Sequence, residues 1–207
     1  MKKLLGALLL AVLIPLQVNA QELWKEGEQY EVIADKATDK PEVLEFFSFW
    51  CPHCYRFESI VDVIKQKLPQ NVKFNKVHVN FMGFTTPEIQ NFATKAMMAG
   101  RVLKQQDVLN KAIFNYIHVQ RAHITSINDL KNIAVVNGID GDAFDKQIKG
   151  FGVNSLALKN NKIIDEYRAH VNSVPTFIVN GKYKAHFTRD MSSDDMVDLI
   201  VWLSQQK

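Results

Sequence analysis

Val43-Leu44-Glu45-Phe46-Phe47-Ser48-Phe49-Trp50-Cys51-Pro52-His53-Cys54-Tyr55 is the stretch whose reading decides the fold. Residues 43–50 are almost continuously apolar and rich in aromatic rings, the pattern of a strand buried on both faces. Cys51 follows at once, and Pro52 stands where a first helical turn tolerates a residue without an N–H. Apolar spacing through Tyr55, Ile60, Val61, Ile64 and Leu68 carries the helix to Pro69. Residues 72–81 then alternate, with Val72, Phe74, Lys76 and His78 on one face and Lys73, Asn75, Val77 and Val79 on the other. That predicts a second strand returning beside the first as a βαβ unit.

Upstream, a short strand is expected around Tyr30 to Ile33, and Thr38-Asp39-Lys40-Pro41 is turn chemistry. Downstream, from Thr86, the period becomes helical: Pro87 to Ala99, Lys104 to Val119, Ser126 to Val136, Gly141 to Lys149 and Val153 to about His170. Gly100, Asn137-Gly138 and Gly150 to Gly152 punctuate these segments. Met97, Met98, Phe114 and Ile117 fall at helical spacing and read as core. Thr176 to Asn180 is again a strand, Asn180-Gly181 a hairpin turn, and Lys182 to Phe187 its antiparallel partner. Ser193 to Ser204 is a closing helix. The class is α/β, with an all-helical segment set between strands.

The chain has 207 residues, 47% hydrophobic and 23% charged, which suits one compact globular domain or a domain with one sizeable insertion and excludes disorder or a collagen-like fibre. Lys2 and Lys3 precede the apolar run Leu4 to Leu16 and the small-residue site Val18-Asn19-Ala20, a secretory signal peptide. Its 13-residue run would reach only roughly 20 Å across a hydrocarbon core about 30 Å thick, so cleavage after Ala20 is expected rather than anchoring. Without the leader, 23 basic side chains face 22 acidic ones. No cationic field remains to recruit nucleic acid or an anionic membrane surface.

Export makes cysteine usage informative, because an oxidising compartment lets disulfides persist. Cys51 and Cys54 are the only cysteines. A four-residue ring constrains the unfolded chain by about 2 kcal/mol, against about 4.7 for a hundred-residue loop, so the pair is a poor staple. A zinc site needs two more ligands, and His118 and His123 are five apart where a helix prefers three or four. No metal is expected. Cys51, at a helix start, meets unpaired N–H groups and the positive dipole end, which stabilise a thiolate. It is expected to be the attacking, solvent-facing sulfur, with Cys54 one turn later turned inward as the resolving thiol. His53 lies between them, where its imidazole can add a donor or partial positive charge near the Cys51 sulfur. Whatever stabilises the Cys51 thiolate stabilises the reduced protein and makes Cys51 the better leaving group, so the protein is expected to oxidise others. A lowering of the thiol by about four units or more would let this outweigh the ring and make the reduced form melt higher at pH 7.

Glu45 is the charged exception in its strand. It reads either as an edge residue facing water, or as a carboxyl beneath the cysteines whose raised pKa lets it exchange a proton with Cys54. In the second case, without a fixed cationic partner, Glu45→Gln is expected to be neutral or stabilising. Phe81-Met82-Gly83-Phe84 is an apolar loop after a strand, either core packing or one wall of a shallow groove for unfolded peptide.

The segment Glu45 to Tyr55, the stretch Lys76-Val77-His78-Val79-Asn80-Phe81-Met82-Gly83, the pair Val174-Pro175 and the turn Val179-Asn180-Gly181-Lys182-Tyr183 together resemble the DsbA family of periplasmic thiol:disulfide interchange proteins. The resemblance runs the length of the mature chain in order and is weakest inside the helical segment. It implies a thioredoxin-like fold with an inserted all-helical domain, divided as residues 1–20 signal peptide, 21–84 and 161–207 thioredoxin-like, and 85–160 insertion. It also implies a monomeric periplasmic oxidase without a bound cofactor beyond its Cys51–Cys54 disulfide. Its partners would be unfolded exported polypeptides with free cysteines, and a membrane quinone-linked protein similar to DsbB for reoxidation. The family has a buried acid at the position of Glu45, and Glu58 and Lys76 match charged residues near its active site, with either a tuning role or that of plain solvated or paired charges. The resemblance makes Val174-Pro175 a cis-proline loop that faces the cysteines and offers the Val174 backbone to an extended substrate. Two rivals stand beside this reading. A disulfide isomerase or reductase is disfavoured because isomerases of this fold generally carry an N-terminal dimerisation domain, and only about twenty mature residues precede residue 43. A peptide-binding holdase with an incidental CxxC would survive alkylation of Cys51.

Overall fold

Val43 to Phe47 are all buried, as the apolar run predicts, and they form the strand on which the rest of the sheet is laid. The computed structural model describes residues 23–207, so the expected leader and its cleavage after Ala20 lie outside the described residues. Five strands, β1 (Tyr30–Val32), β2 (Glu42–Phe47), β3 (Lys73–His78), β4 (Thr176–Val179) and β5 (Tyr183–Ala185), form one mixed sheet in the order β1-β5-β4-β2-β3. α1 (Pro52–Lys67) connects β2 to β3, which run parallel, while β4, β5 and β1 pair antiparallel along the other side. The hairpin between β4 and β5 turns on Asn180 and Gly181, both at positive φ (53° and 63°). Gly181 is required twice over, since a Cβ there would meet the Thr38 methyl at 2.8 Å and the Tyr167 hydroxyl at 2.9 Å.

β2 and β3 are both shorter than their apolar patterns. β2 stops at Phe47 because Ser48 starts a turn: its carbonyl accepts the Cys51 N–H (3.0 Å) and its hydroxyl oxygen accepts the Trp50 N–H (3.3 Å). Phe49 is therefore a core side chain on a turn. β3 is an edge strand that ends at His78, where Asn160 imitates a further strand: the His78 N–H donates to Asn160 Oδ1 (3.1 Å) and Asn160 Nδ2 donates to the His78 carbonyl (2.9 Å). At His78 the side chain thus takes the backbone groups that an edge would otherwise offer to another chain.

The helical unit comprises α2 (Pro87–Val102), α3 (Gln106–His118), α4 (Ile127–Val136), α5 (Gly141–Lys149) and α6 (Phe151–Tyr167), and α7 (Ser193–Ser204) closes the chain on the sheet. The expected boundary between residues 160 and 161 falls inside α6, which is continuous but changes partners there. Val153 packs in the core of the helical unit, whereas Ile164 and Tyr167 pack on the sheet with Leu44, Phe46 and Ile178. Met97, Met98 and Phe114 are buried in the helical core, and that same cluster takes in Phe47, Phe49, Cys51 and Cys54. Burying each such large side chain contributes about 1.5–3 kcal/mol. The cysteine-bearing turn is thus anchored on one side by the sheet and on the other by the inserted helices.

Candidate active site

Cys51 is the N-cap of α1: its backbone is extended (φ −85°, ψ 114°), its Sγ accepts the Cys54 N–H at 3.2 Å, and Pro52 follows at the first helical position. The sequence sets this up, because a proline that has no N–H to offer leaves the next free N–H groups pointing at the residue before it. Both cysteines are thiols. The Cys51 thiol is lowered to about 6. The leading cause is the hydrogen bond it accepts from the Cys54 thiol; burial opposes this, and the backbone N–H groups of Cys54 and His53 and the charge of Arg56 lower it further. Cys54 is pushed strongly up by burial, by donating its hydrogen to Cys51 and by the negative charges of Cys51 and Glu45. The two thiols are therefore driven apart, one poised to ionise at neutral pH and the other to hold its proton.

Cys51 was expected to face solvent, yet it is only 3% exposed. The Val174–Pro175 peptide is cis, and the Val174 carbonyl accepts the Cys51 thiol hydrogen at 3.3 Å, covering the sulfur from the opposite side of the site. A concave surface of about 710 Å³ opens beside it, lined by His53, Phe57, Val174, Pro175, Phe187 and Met196 among others. Phe81 and Met82 do not line it. They pack on the far side of the sheet against the cluster of Leu44, Val79 and Ile164, with the Arg168 guanidinium 3.9 Å from the Phe81 ring centre. Phe81 and Met82 find partial cover there because α6 passes over that end of β3, whereas Phe84 of the same loop stays exposed. The groove is built instead from α1, the cis-proline loop and the segment after β5, whose Phe57 and Phe187 rings stack at 5.2 Å.

His53 also acts differently from expectation. Its side chain is exposed, and Nδ1 accepts a hydrogen bond from the Arg56 guanidinium (3.0 Å), which can only donate. The contribution of His53 to the Cys51 sulfur is its main-chain N–H, and the cation near the sulfur is Arg56, a residue that the sequence displays only as one more surface charge.

Glu45, Lys76 and Glu58 form one cluster. Glu45 lies directly opposite Lys76 in the parallel β2–β3 pair. Lys76 Nζ is 2.7 Å from Glu45 Oε2 and also bonds Glu58 Oε1 from α1, so Glu45 has the fixed cationic partner that the sequence reading lacked, and it does not face water. One ammonium serving two carboxylates stays charged, and its pKa is raised by both of them against the effect of burial. The surplus negative charge falls on fully buried Glu45, whose carboxyl is pushed up first by burial, against the attraction of Lys76, and further by Glu58. The negative charge of Glu45 is felt at Cys54, where it adds to the raising of the resolving thiol.

The profile of the family described as "DSBA-like thioredoxin domain" matches residues 42–199. The chain belongs to the DSBA-like thioredoxin family. Among the family's named members, the thiol:disulfide interchange protein DsbA of Haemophilus influenzae is 37% identical over 202 residues, covering 95% of this chain and 94% of its own. The DsbA of Escherichia coli is 32% identical over 193 residues, covering 89% and 90%. The crystal structure of the disulfide oxidoreductase DsbA from Proteus mirabilis superposes with a TM-score of 0.78 at 27% identity, over 88% of this chain and 98% of that one. The fold is the thioredoxin-like DsbA fold with its helical insertion, and the chain is a thiol:disulfide oxidoreductase.

Proposed function

We propose that this DSBA-like chain is a periplasmic protein-disulfide oxidase that hands its Cys51–Cys54 disulfide to exported polypeptides with free cysteines. The observation that carries this reading is the opposed state of the two thiols, Cys51 lowered and Cys54 raised. A substrate thiolate attacks the Cys51 sulfur, the disulfide breaks, and Cys54 leaves with the electron pair and takes a proton. The second substrate thiolate then attacks the substrate sulfur of the mixed disulfide, and Cys51 departs as a thiolate. The substrate has lost two electrons and the protein has gained them. A leaving group of low pKa departs fastest, so the step that releases substrate is the favoured one. A membrane quinone-linked protein similar to DsbB restores the disulfide, and the leader, cleaved after Ala20, directs the chain to the periplasm as a monomer. A structure of Proteus mirabilis DsbA with the non-covalently bound peptide PWATCDS, 26% identical to this chain, supports a peptide as the occupant of the groove beside Val174 and Pro175. Thiolate absorbance of the reduced protein should persist down to about pH 6 and vanish in Cys51→Ser, which should also fail to oxidise a reduced, unfolded test protein. Titration of Cys51 at the ordinary thiol value of about 8.5 overturns the mechanism.

The same lowering links redox state to stability. A depressed folded-state pKa stabilises the reduced fold where the thiolate is populated, and this support is lost as pH falls through about 6. Against an unfolded value of about 8.5, it adds about 1.4 kcal/mol at pH 7, while the four-residue ring adds about 2 kcal/mol to the oxidised form. The sequence expectation of a higher-melting reduced form at pH 7 rested on a lowering of about four units. With the thiol at about 6, the two forms should lie within about 1 kcal/mol of each other at pH 7. The reduced form should gain up to about 1.4 kcal/mol per pH unit from pH 6 toward 8.5. Matched denaturant unfolding of both forms at pH 6, 7 and 8 reads this directly, and a gap independent of pH contradicts it.

A further inference from the structure

His118 is the last residue of α3, in the helical insertion, 64 residues beyond Cys54. The sequence offers it as one of two histidines at a spacing unsuited to metal, and thiol exchange as described above makes no use of it. Yet its imidazole touches both flanks of the cysteine motif. Nε2 lies 2.8 Å from the carbonyl oxygen of Phe49, two residues before Cys51. The ring stacks on Tyr55, the residue after Cys54, with centroids 5.0 Å apart and planes within 7°. A carbonyl can only accept, so Nε2 carries the hydrogen and donates it.

Both contacts fall where the backbone needs them. Phe49 is fully buried, and among the described residues no backbone N–H reaches its carbonyl, because the turn around Ser48 takes the Cys51 N–H and Pro52 has none to give. Tyr55 begins the hydrogen-bonded ladder of α1, its N–H donating to the Cys51 carbonyl at 3.1 Å. The position of the Cys51 sulfur as N-cap depends on the angle between this turn and this helix. We propose that His118 is a positioning residue for the Cys51 thiolate. It ties the turn before the cysteines to the first turn after them, so that the Cys54 and His53 N–H groups stay aimed at the sulfur. The inserted helices thereby set the redox poise of a motif that lies wholly outside them. The proposal rests on Cys51 being the thiolate of the reaction.

The test is the thiolate titration of Cys51 together with equilibration against a glutathione redox buffer in His118 variants. His118→Phe keeps a ring to stack on Tyr55 but removes the donor, and His118→Ala removes both contacts. His118→Gln restores a donor without the ring. Loss of one hydrogen bond's differential stabilisation should raise the Cys51 pKa by about half a unit to one unit in His118→Phe. The equilibrium with glutathione at pH 7 should then move about three- to fivefold toward the oxidised protein. His118→Ala should move at least as far and His118→Gln should return most of the way. A purely structural histidine would lower the melting temperature of all three while leaving the titration in place, and that result overturns the proposal. Should His118→Phe not fold, the contrast of His118→Ala with His118→Gln reads the same donor. A wild-type thiol that titrates at its ordinary value would instead defeat the oxidase reading itself, so the two failures are told apart by the wild-type curve.

Discussion

Lys76→Met is expected to cost the fold about 3–5 kcal/mol at pH 7, the loss that follows when one partner of a buried ion pair is deleted and the other is left behind. The Lys76 side chain is 2% exposed and that of Glu45 not at all. Glu45 Oε2 has Lys76 as its partner, while Oε1 has none among the described residues, so methionine would leave both carboxylate oxygens unpaired. The Lys76 ammonium also lies 4.5 Å from the Phe47 ring centre, and a thioether in its place recovers packing there but no charge. Glu45, already raised by burial, would rise further and take up a proton, so the deficit should shrink in mild acid. Glu45→Gln is a different experiment: the amide oxygen can still accept from Lys76, Glu58 still neutralises the ammonium, and the change should be small. Lys76→Met combined with Glu45→Leu removes both buried charges and should recover most of the loss, because well-packed apolar replacements of buried pairs are often neutral or stabilising. Denaturant unfolding of the wild type, Lys76→Met, Glu45→Leu and the double variant at pH 7 and pH 5.5 closes the cycle. A single-variant loss below about 1 kcal/mol would mean that Glu45 is already protonated at neutral pH and the pair idle.

The residues that made this cluster were visible in the sequence, but their meeting was not. Glu45 and Lys76 stood out as charges in apolar strands, and the alternation around each predicted neighbouring strands. Register, which places residue 45 opposite residue 76, is set by how β2 and β3 pack against the helices, a property of the assembled core. The hairpin at Asn180-Gly181 was legible because its chemistry is local: two consecutive positive φ values need asparagine and glycine wherever they occur. About half of the helix limits were legible for the same reason, marked by proline or glycine, but Gly100, expected to punctuate two helices, lies inside α2, which runs on to Val102. What escaped was every contact made across the insertion. Asn160 ending β3, Thr94 against His78 and His118 against Phe49 each join residues 16 to 82 positions apart, and no spacing rule predicts them. Phe81 and Met82 escaped in the opposite sense. An apolar loop after a strand is equally suited to a groove or to a core, and only the path of α6 packs them, half-buried, against the far face of the sheet.

One of those contacts should dominate the response of the fold to acid. His78 is fully buried, with ring centroids of Phe47, Phe49 and Trp50 at 5.4, 4.9 and 6.0 Å. The Thr94 hydroxyl hydrogen is committed to the Gln90 carbonyl (3.1 Å), so it is His78 Nδ1 that carries a hydrogen and donates it to the Thr94 oxygen (2.8 Å). Nε2 is left bare, without a partner among the described residues. A second proton would have to sit there, among aromatic rings, and burial accordingly lowers the His78 pKa to about 3. In the unfolded chain the same imidazole takes up its proton near pH 6.5. The stabilising effect of a neutral buried imidazole is whole above that value and is lost as pH falls toward about 3, at up to about 1.4 kcal/mol per pH unit. By pH 4 the loss from this one group should reach about 3 kcal/mol, a large share of the 5–15 kcal/mol typical of a folded domain. Glu45, with its raised pKa, works in the other direction over the part of this range below its folded value, so the wild-type curve alone mixes the two. His78→Phe separates them. Phenylalanine suits the aromatic surroundings, leaves the Thr94–Gln90 bond intact and has no proton to gain. The variant should match the wild type to within about 1 kcal/mol at pH 7 and exceed it by about 3 kcal/mol at pH 4. Parallel stability curves for the two proteins between pH 4 and pH 7 would show that His78 titrates normally in the fold, and that water or a shift of β3 reaches Nε2 when it is protonated.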